Sequence, residues 1–170
     1  MAGVDFTLRD GRVEDAACPV DFQEQSRSVQ RVSDIDRTVD YPCPPPLNED
    51  PNKAIVATQN FQDRTLCVGG KTILFTKDRM IKTLERHHNE FYRRPGSITS
   101  FFPHNPSVED IFQIAQQVLN QNISEIRNLR PTGPWPALRA FIDGVEYRVG
   151  VTNGLVVTVF PEDQPGICTI

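Results

Sequence analysis

The chain has 170 residues, 38% of them hydrophobic and 24% charged, with a formal net charge of −4. That length allows one ordinary domain with a sizeable core, or a smaller domain with a tail. The acidic balance argues against a protein that coats DNA, and no apolar run approaches the roughly 20 residues of a bilayer-spanning helix.

The charge is unevenly spread. Residues 1–50 hold 11 acidic and 5 basic side chains, whereas residues 51–170 hold 11 acidic and 13 basic. The first fifty residues lack sustained apolar periodicity and end near Tyr41-Pro-Cys-Pro-Pro-Pro-Leu47. Three consecutive prolines favour an extended spacer. We therefore read 1–50 as an acidic, proline-containing arm or linker and 51–170 as the compact domain. The opening MAGVDFTLRDGRVED has neither a basic n-region nor an apolar h-region, so no secretory signal peptide is expected on it. Cys18, Cys43, Cys67 and Cys168 are far apart and form no CxxC pair, which argues against a structural zinc site. Free thiols are the expectation for a cytosolic chain, with disulfides open in an oxidising compartment.

Within the domain, Ala54–Ala57, Thr65–Val68 and Thr72–Phe75 read as short strands, with Gly69-Gly70 as a turn. Thr76 is placed to cap a helix whose first turn contains Asp78. Met80, Ile81, Leu84 and Phe91 fall on one face of it, and Pro95-Gly96 ends it. A second helix starts at Pro106-Ser107, with Ser107 and Asp110 at capping-box spacing. Its apolar stripe is Val108, Ile111, Phe112, Ala115, Val118 and Leu119, and it should end near Asn120–Asn122. Residues 132–136 read as a loop.

The last region is a three-stranded meander, Leu138–Ile142, Val145–Thr152 and Leu155–Phe160, turned by Asp143-Gly144 and Asn153-Gly154. Asp-Gly and Asn-Gly are strong two-residue hairpin signals. With two residues in each loop, Leu138, Ala140, Ile142, Val145, Tyr147, Val149, Val151, Val156, Thr158 and Phe160 share one face. Thr158 is then the polar exception on an apolar face, and Arg139, Glu146, Arg148 and Thr152 occupy the other. The expected class is α+β, two or three helices packed on a C-terminal antiparallel sheet.

Chemistry concentrates on the first helix, at Leu84-Glu85-Arg86-His87-His88. Lys77, Arg79, Lys82, Arg93 and Arg94 lie nearby in sequence. Histidine can take and give a proton near neutral pH, and cations suit the spread negative charge of a phosphodiester transition state. Metal-free RNA cleavage needs a base for the 2′-OH proton, an acid for the leaving 5′-oxygen, and donors for the phosphate oxygens. His87 and His88 are the candidates for proton transfer. The structural alternative is one histidine packed at the edge of the core and the other solvated. Arg86, Lys82, Arg93 and Arg94 are candidates to hold phosphate, or they form the solvated face of a helix. Arg148 joins them as a candidate for substrate binding. Thr158 could bond a phosphate oxygen, or simply fit a strand. Tyr92 could stack on a base, or pack beside Phe91. His104 reads as a loop residue. A glycine-rich phosphate loop, HExxH, a G-x-S-x-G elbow and a two-carboxylate metal signature are absent, so neither a metal nor another cofactor is expected.

The order of these pieces resembles a family. Ile81-Lys82-Thr83-Leu84-Glu85-Arg86-His87-His88, Ser100-Phe101-Phe102, Asp110-Ile111, Val118-Leu119-Asn120-Gln121-Asn122, Asp143-Gly144-Val145-Glu146-Tyr147 and Phe160-Pro161 together span about residues 71–161. They resemble the ribonuclease domains of bacterial polymorphic toxins, the barnase–EndoU–colicin–RelE group delivered by contact-dependent inhibition or Rhs-type systems. EndoU-type members carry two separated histidines, whereas here the two are adjacent. The resemblance implies an endoribonuclease acting on tRNA or other RNA in a target cell's cytoplasm after secretion or delivery. It also implies a cognate immunity protein and a host factor as partners. The competing expectation is a non-enzymatic immunity or adaptor protein that docks an acidic partner through its basic helix.

Overall fold

The computed structural model describes residues 42–96 and 98–170. Most of the arm, residues 1–41, lies outside the described residues. Its last part is tied to the domain: Asn48 donates its backbone N–H to the Tyr92 carbonyl, and Cys43 forms a disulfide with Cys168. Cys67 is disulfide-bonded too, and no described cysteine is a free thiol. This corrects the free-thiol expectation, which rested on an assumed reducing compartment.

The architecture is α+β. In chain order the elements are α1 (Lys53–Ala57), β1 (Arg64–Val68), β2 (Lys71–Phe75), α2 (Lys77–His87), α3 (Val108–Gln121), α4 (Ile123–Ile126), β3 (Leu138–Ile142), β4 (Val145–Thr152) and β5 (Leu155–Pro161). The strands form one five-stranded sheet in the order β1-β2-β5-β4-β3. All its pairs are antiparallel except β2 with β5, which is parallel. The C-terminal meander is thus antiparallel as expected, and the β1–β2 hairpin extends it into a mixed sheet. No helix among the described residues is long and apolar enough to cross a membrane.

Residues 53–57 are a helical turn and not the expected strand. Asp50 Oδ1 accepts from the Asn52 N–H, Thr58 Oγ1 bonds back to the Ala54 carbonyl, and only Ala54 of the five is buried. Val56 is 59% exposed, so its β-branched side chain never had a strand's core to fill. Both main helices are capped as their sequences predict. Thr76 accepts from the Arg79 N–H, and Ser107 and Asp110 form a reciprocal capping box. Helix α2 stops at His87, one turn before Phe91, because His88 turns extended. Helix α3 is held on β3 through Asn122, whose amide donates to the carbonyls of Val118 and Arg139.

The hairpin turns form as read, with Asp143 and Asn153 at φ 51 and 52 and their glycines also at positive φ. The register beyond them does not. Val151 pairs with Val156 but Gly150 pairs with Thr158, leaving Val157 as the extra residue of a bulge. The bulge reverses the facing of the rest of β5. Val156, Val159 and Pro161 are buried, whereas Thr158 and Phe160 lie with Gly150 and Arg148 on the other face. Thr158 is therefore not a polar exception within an apolar face.

Candidate functional site

Where α2 packs beside β5 there is an open groove of about 230 Å³. Helix α2 supplies Arg79, Lys82, Thr83, Arg86 and His87, β5 supplies Val157 and Thr158, and the segment after the helix supplies Arg94. Positions 79, 82, 83 and 86 follow helical i, i+3, i+4, i+7 spacing, so they form one stripe. Among the described residues no carboxylate lines the groove.

The four cations differ in their partners. Lys82 pairs with Asp78 at 3.1 Å, an exposed i,i+4 contact of small energetic weight. Arg94 is pinned by Glu85, whose carboxylate lies 2.5 Å from its Nε and is only 5% exposed. Arg79 and Arg86 have no side-chain ion pair or hydrogen bond among the described residues. Two guanidinium groups facing one concavity without counter-charge make a site that favours anions.

His87 lines the groove and is 8% exposed. Its Nδ1 lies 2.8 Å from the Ser100 carbonyl oxygen. A carbonyl only accepts, so Nδ1 carries the proton and Nε2 keeps its lone pair. The ring stacks on Phe160 at 4.9 Å with 16° between the planes. Burial pushes the imidazole down to about 4, the Ser100 bond opposes that shift, and Arg86 adds to it. At neutral pH it is an uncharged base fixed in one tautomer.

His88 is elsewhere. It is 1% exposed, its Nε2–H donates to the Pro106 carbonyl at 2.9 Å, and its Nδ1 accepts from the Glu90 N–H at 3.1 Å. Nε2 fastens the end of α2 to the start of α3, Nδ1 closes the local turn to Glu90, and burial lowers its pKa. The adjacent histidines thus point to different surroundings, His87 from the last turn of α2 and His88 from the extended residue that follows it.

Thr158 lines the groove, and its hydroxyl makes no hydrogen bond among the described residues. Tyr92 is 4% exposed and packs edge-on against Phe101, so it presents no face to a base. Arg93 donates to the Asn48 carbonyl. Arg148 pairs with Glu162 and covers the Phe160 ring at 5.5 Å, outside the groove lining. Of the residues singled out from sequence, the structure brings together Lys82, Arg86, His87, Arg94 and Thr158. It places His88, Tyr92, Arg93 and Arg148 apart from them.

Sequence reasoning did not give Arg79, Thr83, Ser100 or Gly150 a part in the site. Helical spacing from Lys82 and Arg86 was the available signal for Arg79 and Thr83. An isolated glycine in a strand was the signal for a bulge at Gly150. Nothing local marks Ser100, which meets His87 across 13 positions. Among the described residues no group of three or more histidine, cysteine, aspartate or glutamate side chains is arranged to hold a metal ion. Comparison with protein-family models, curated proteins and solved structures finds no match for this chain.

Proposed function

We propose that the groove binds an RNA phosphodiester and cleaves it without a metal, with His87 as the proton-transfer group. The observation that carries this reading is one juxtaposition: a neutral, tautomer-fixed imidazole lining the same groove as two guanidinium groups that have no side-chain partner among the described residues. In the reaction, His87 Nε2 takes the proton of the 2′-OH. The 2′-oxygen attacks phosphorus, the P–O5′ bond breaks, and the products are a 2′,3′-cyclic phosphate and a 5′-OH end. Arg79 and Arg86 face the charge that develops on the non-bridging oxygens, while Thr158 donates to one of them. A bound phosphate also raises the imidazole's proton affinity, countering the effect of burial and Arg86. The leaving 5′-oxygen takes its proton from the imidazolium or from water, since His88 is not at hand.

A place in interbacterial competition belongs to the same proposal and rests on the resemblance of residues 71–161. On that reading the chain is a delivered toxin acting on tRNA or other RNA in a target cell's cytoplasm. A cognate immunity protein would neutralise the groove with acidic side chains, and a host factor is a further partner.

The engagement of both His88 nitrogens favours a second reading, since it leaves a single imidazole in the groove. Here the stripe Arg79, Lys82 and Arg86 docks a polyanion or an acidic protein and no bond is broken. Incubating the full chain with total RNA and reading the fragment ends separates the two. New cyclic-phosphate ends support the nuclease, and retention of intact RNA supports the binding module.

A further inference from the structure

Ser100, which fixes His87, is itself held by the end of the chain. Thr99 and Ile170 exchange backbone hydrogen bonds at 3.0 and 2.9 Å, and the Phe101 N–H donates to the Cys168 carbonyl at 2.9 Å. Ser100 Oγ donates to the Pro161 carbonyl at 2.5 Å, and the Phe102 N–H returns to the His87 carbonyl. The tail that pairs with 99–101 is anchored by the Cys43–Cys168 disulfide, which joins residues 125 positions apart. Cys43 is exposed, and Cys168 lines a separate open cavity of about 310 Å³, so a small thiol can reach the bond.

We propose that Cys43–Cys168 is a redox clamp on the site: reduced by a small thiol, it frees residues 165–170, which lie beyond the contacts of Glu162 and Gln164 with β3 and β4, and the Ser100 carbonyl no longer fixes His87. The chemistry is ordinary exchange. One thiolate attacks a sulfur and breaks the S–S bond, and a second resolves the mixed disulfide. Two Cys–SH groups form and two reductant thiols become one disulfide. Residues 98–101 lose the partner strand that orders them, while the β4–β5 pairing and the core of α2 remain. His87 then swings between tautomers as an ordinary imidazole does, with Nε2–H the more populated form in water. The effect on RNA cleavage rests on the nuclease reading above. The clamp itself does not.

The test uses the full chain labelled with 15N at histidine, oxidised, treated with glutathione, and as Cys168→Ser. The substitution opens this disulfide alone and leaves the one at Cys67 intact. Ring nitrogen shifts report the tautomer directly, and amide exchange at Thr99, Phe101 and Ile170 reports the tail. The oxidised protein should show Nδ1–H at His87 with those three amides protected. Opening the bond should bring Nε2–H to the majority and speed exchange at the three amides by about tenfold or more, as a local opening does. RNA cleavage should fall alongside, so in a reducing cytoplasm the activity lasts only until glutathione opens the bond. An unchanged tautomer and unchanged amides, once mass measurement shows the bond open, would overturn the clamp. So would unfolding of the whole domain, because the loosening is confined to the tail and residues 98–101. A protein that never cuts RNA yet shows the tautomer change would sink the nuclease reading and leave the clamp standing.

Discussion

Gly150 and Thr158 are cross-strand partners, and a β-carbon added to Gly150 would lie 2.7 Å from Thr158 Oγ1. The bare backbone of β4 therefore leaves the room in which the Thr158 hydroxyl sits above the groove. The conflict of a larger residue falls on the end of one side chain, which can rotate, and not on backbone. Gly150→Ala should leave the melting temperature close to that of the native protein. It should still cost RNA cleavage at least tenfold, roughly 1.4 kcal/mol of transition-state stabilisation, because the hydroxyl is turned away. Thermal melts and cleavage rates measured together decide this. A stable Gly150→Ala protein with full activity would remove Thr158 from the mechanism.

Thr158→Val asks the same question without crowding. The hydroxyl has no partner among the described residues, so nothing buried is left unsatisfied when it goes. Stability should be unchanged or slightly raised, with cleavage again reduced about tenfold or more. Equal activity in the two proteins would make this threonine an ordinary strand residue.

Arg79 and Arg86 have no side-chain partner among the described residues, so their removal should read out in binding alone. Arg79→Ala and Arg86→Ala should each change stability by no more than about 0.5 kcal/mol. Each should lower RNA affinity and reduce the slope of log affinity against log salt by about 0.7, the value for one phosphate contact on a single strand. Lys82→Ala should do less, since Asp78 already shares that charge. A salt titration in which both arginine variants keep the native slope would place the RNA elsewhere.

The two histidines should separate stability from catalysis. His88→Ala strands the buried Pro106 carbonyl, worth about 1–3 kcal/mol when unpaired, and removes the acceptor of the half-buried Glu90 N–H. A lower melting temperature is expected. For His87 the linkage has a definite sign. Its folded value of about 4 lies below the 6.5 of the unfolded chain, so the unfolded state binds the extra proton between those values. The stability contribution is complete above about pH 6.5, falls as pH drops through that window, and is fully lost below about 4. The difference is on the order of 3 kcal/mol. His88 acts in the same direction. Melting temperature measured from pH 7 to 4 should fall, and His87→Gln should flatten the curve. An identical pH profile in the variant would mean that the native imidazole is not buried in its neutral form.

Much of the scaffold was legible because it is made by local chemistry. Thr76, Ser107 and Asp110 cap helices through contacts three residues apart, and Asp143-Gly144 and Asn153-Gly154 set two-residue turns wherever they occur. The stripe of α2 that carries Lys82, Arg86 and His87 follows from helical spacing alone. What was not legible depends on partners distant in sequence. The facing of Thr158 depends on one unpaired residue, Val157, which alternation cannot register. Both His87 and His88 were candidates for proton transfer, and only the Pro106 carbonyl, 18 positions on, takes His88 out of that role. Cys43 and Cys168 carry no spacing signal, since the tail that unites them is placed only by the completed sheet. Ala54–Ala57 misled for a different reason: a short apolar run fits a strand or a helical turn equally well.

The most direct test of the central claim is cleavage of RNA by the full chain in the presence of chelator, native against His87→Ala. The account predicts that native protein generates 2′,3′-cyclic phosphate ends at the same rate with and without EDTA. It also predicts that His87→Ala, still folded, loses about 10²–10⁴-fold of that rate, the usual worth of one acid–base group. Cleavage abolished by EDTA, or a His87→Ala protein that cuts as fast as the native one, would contradict it.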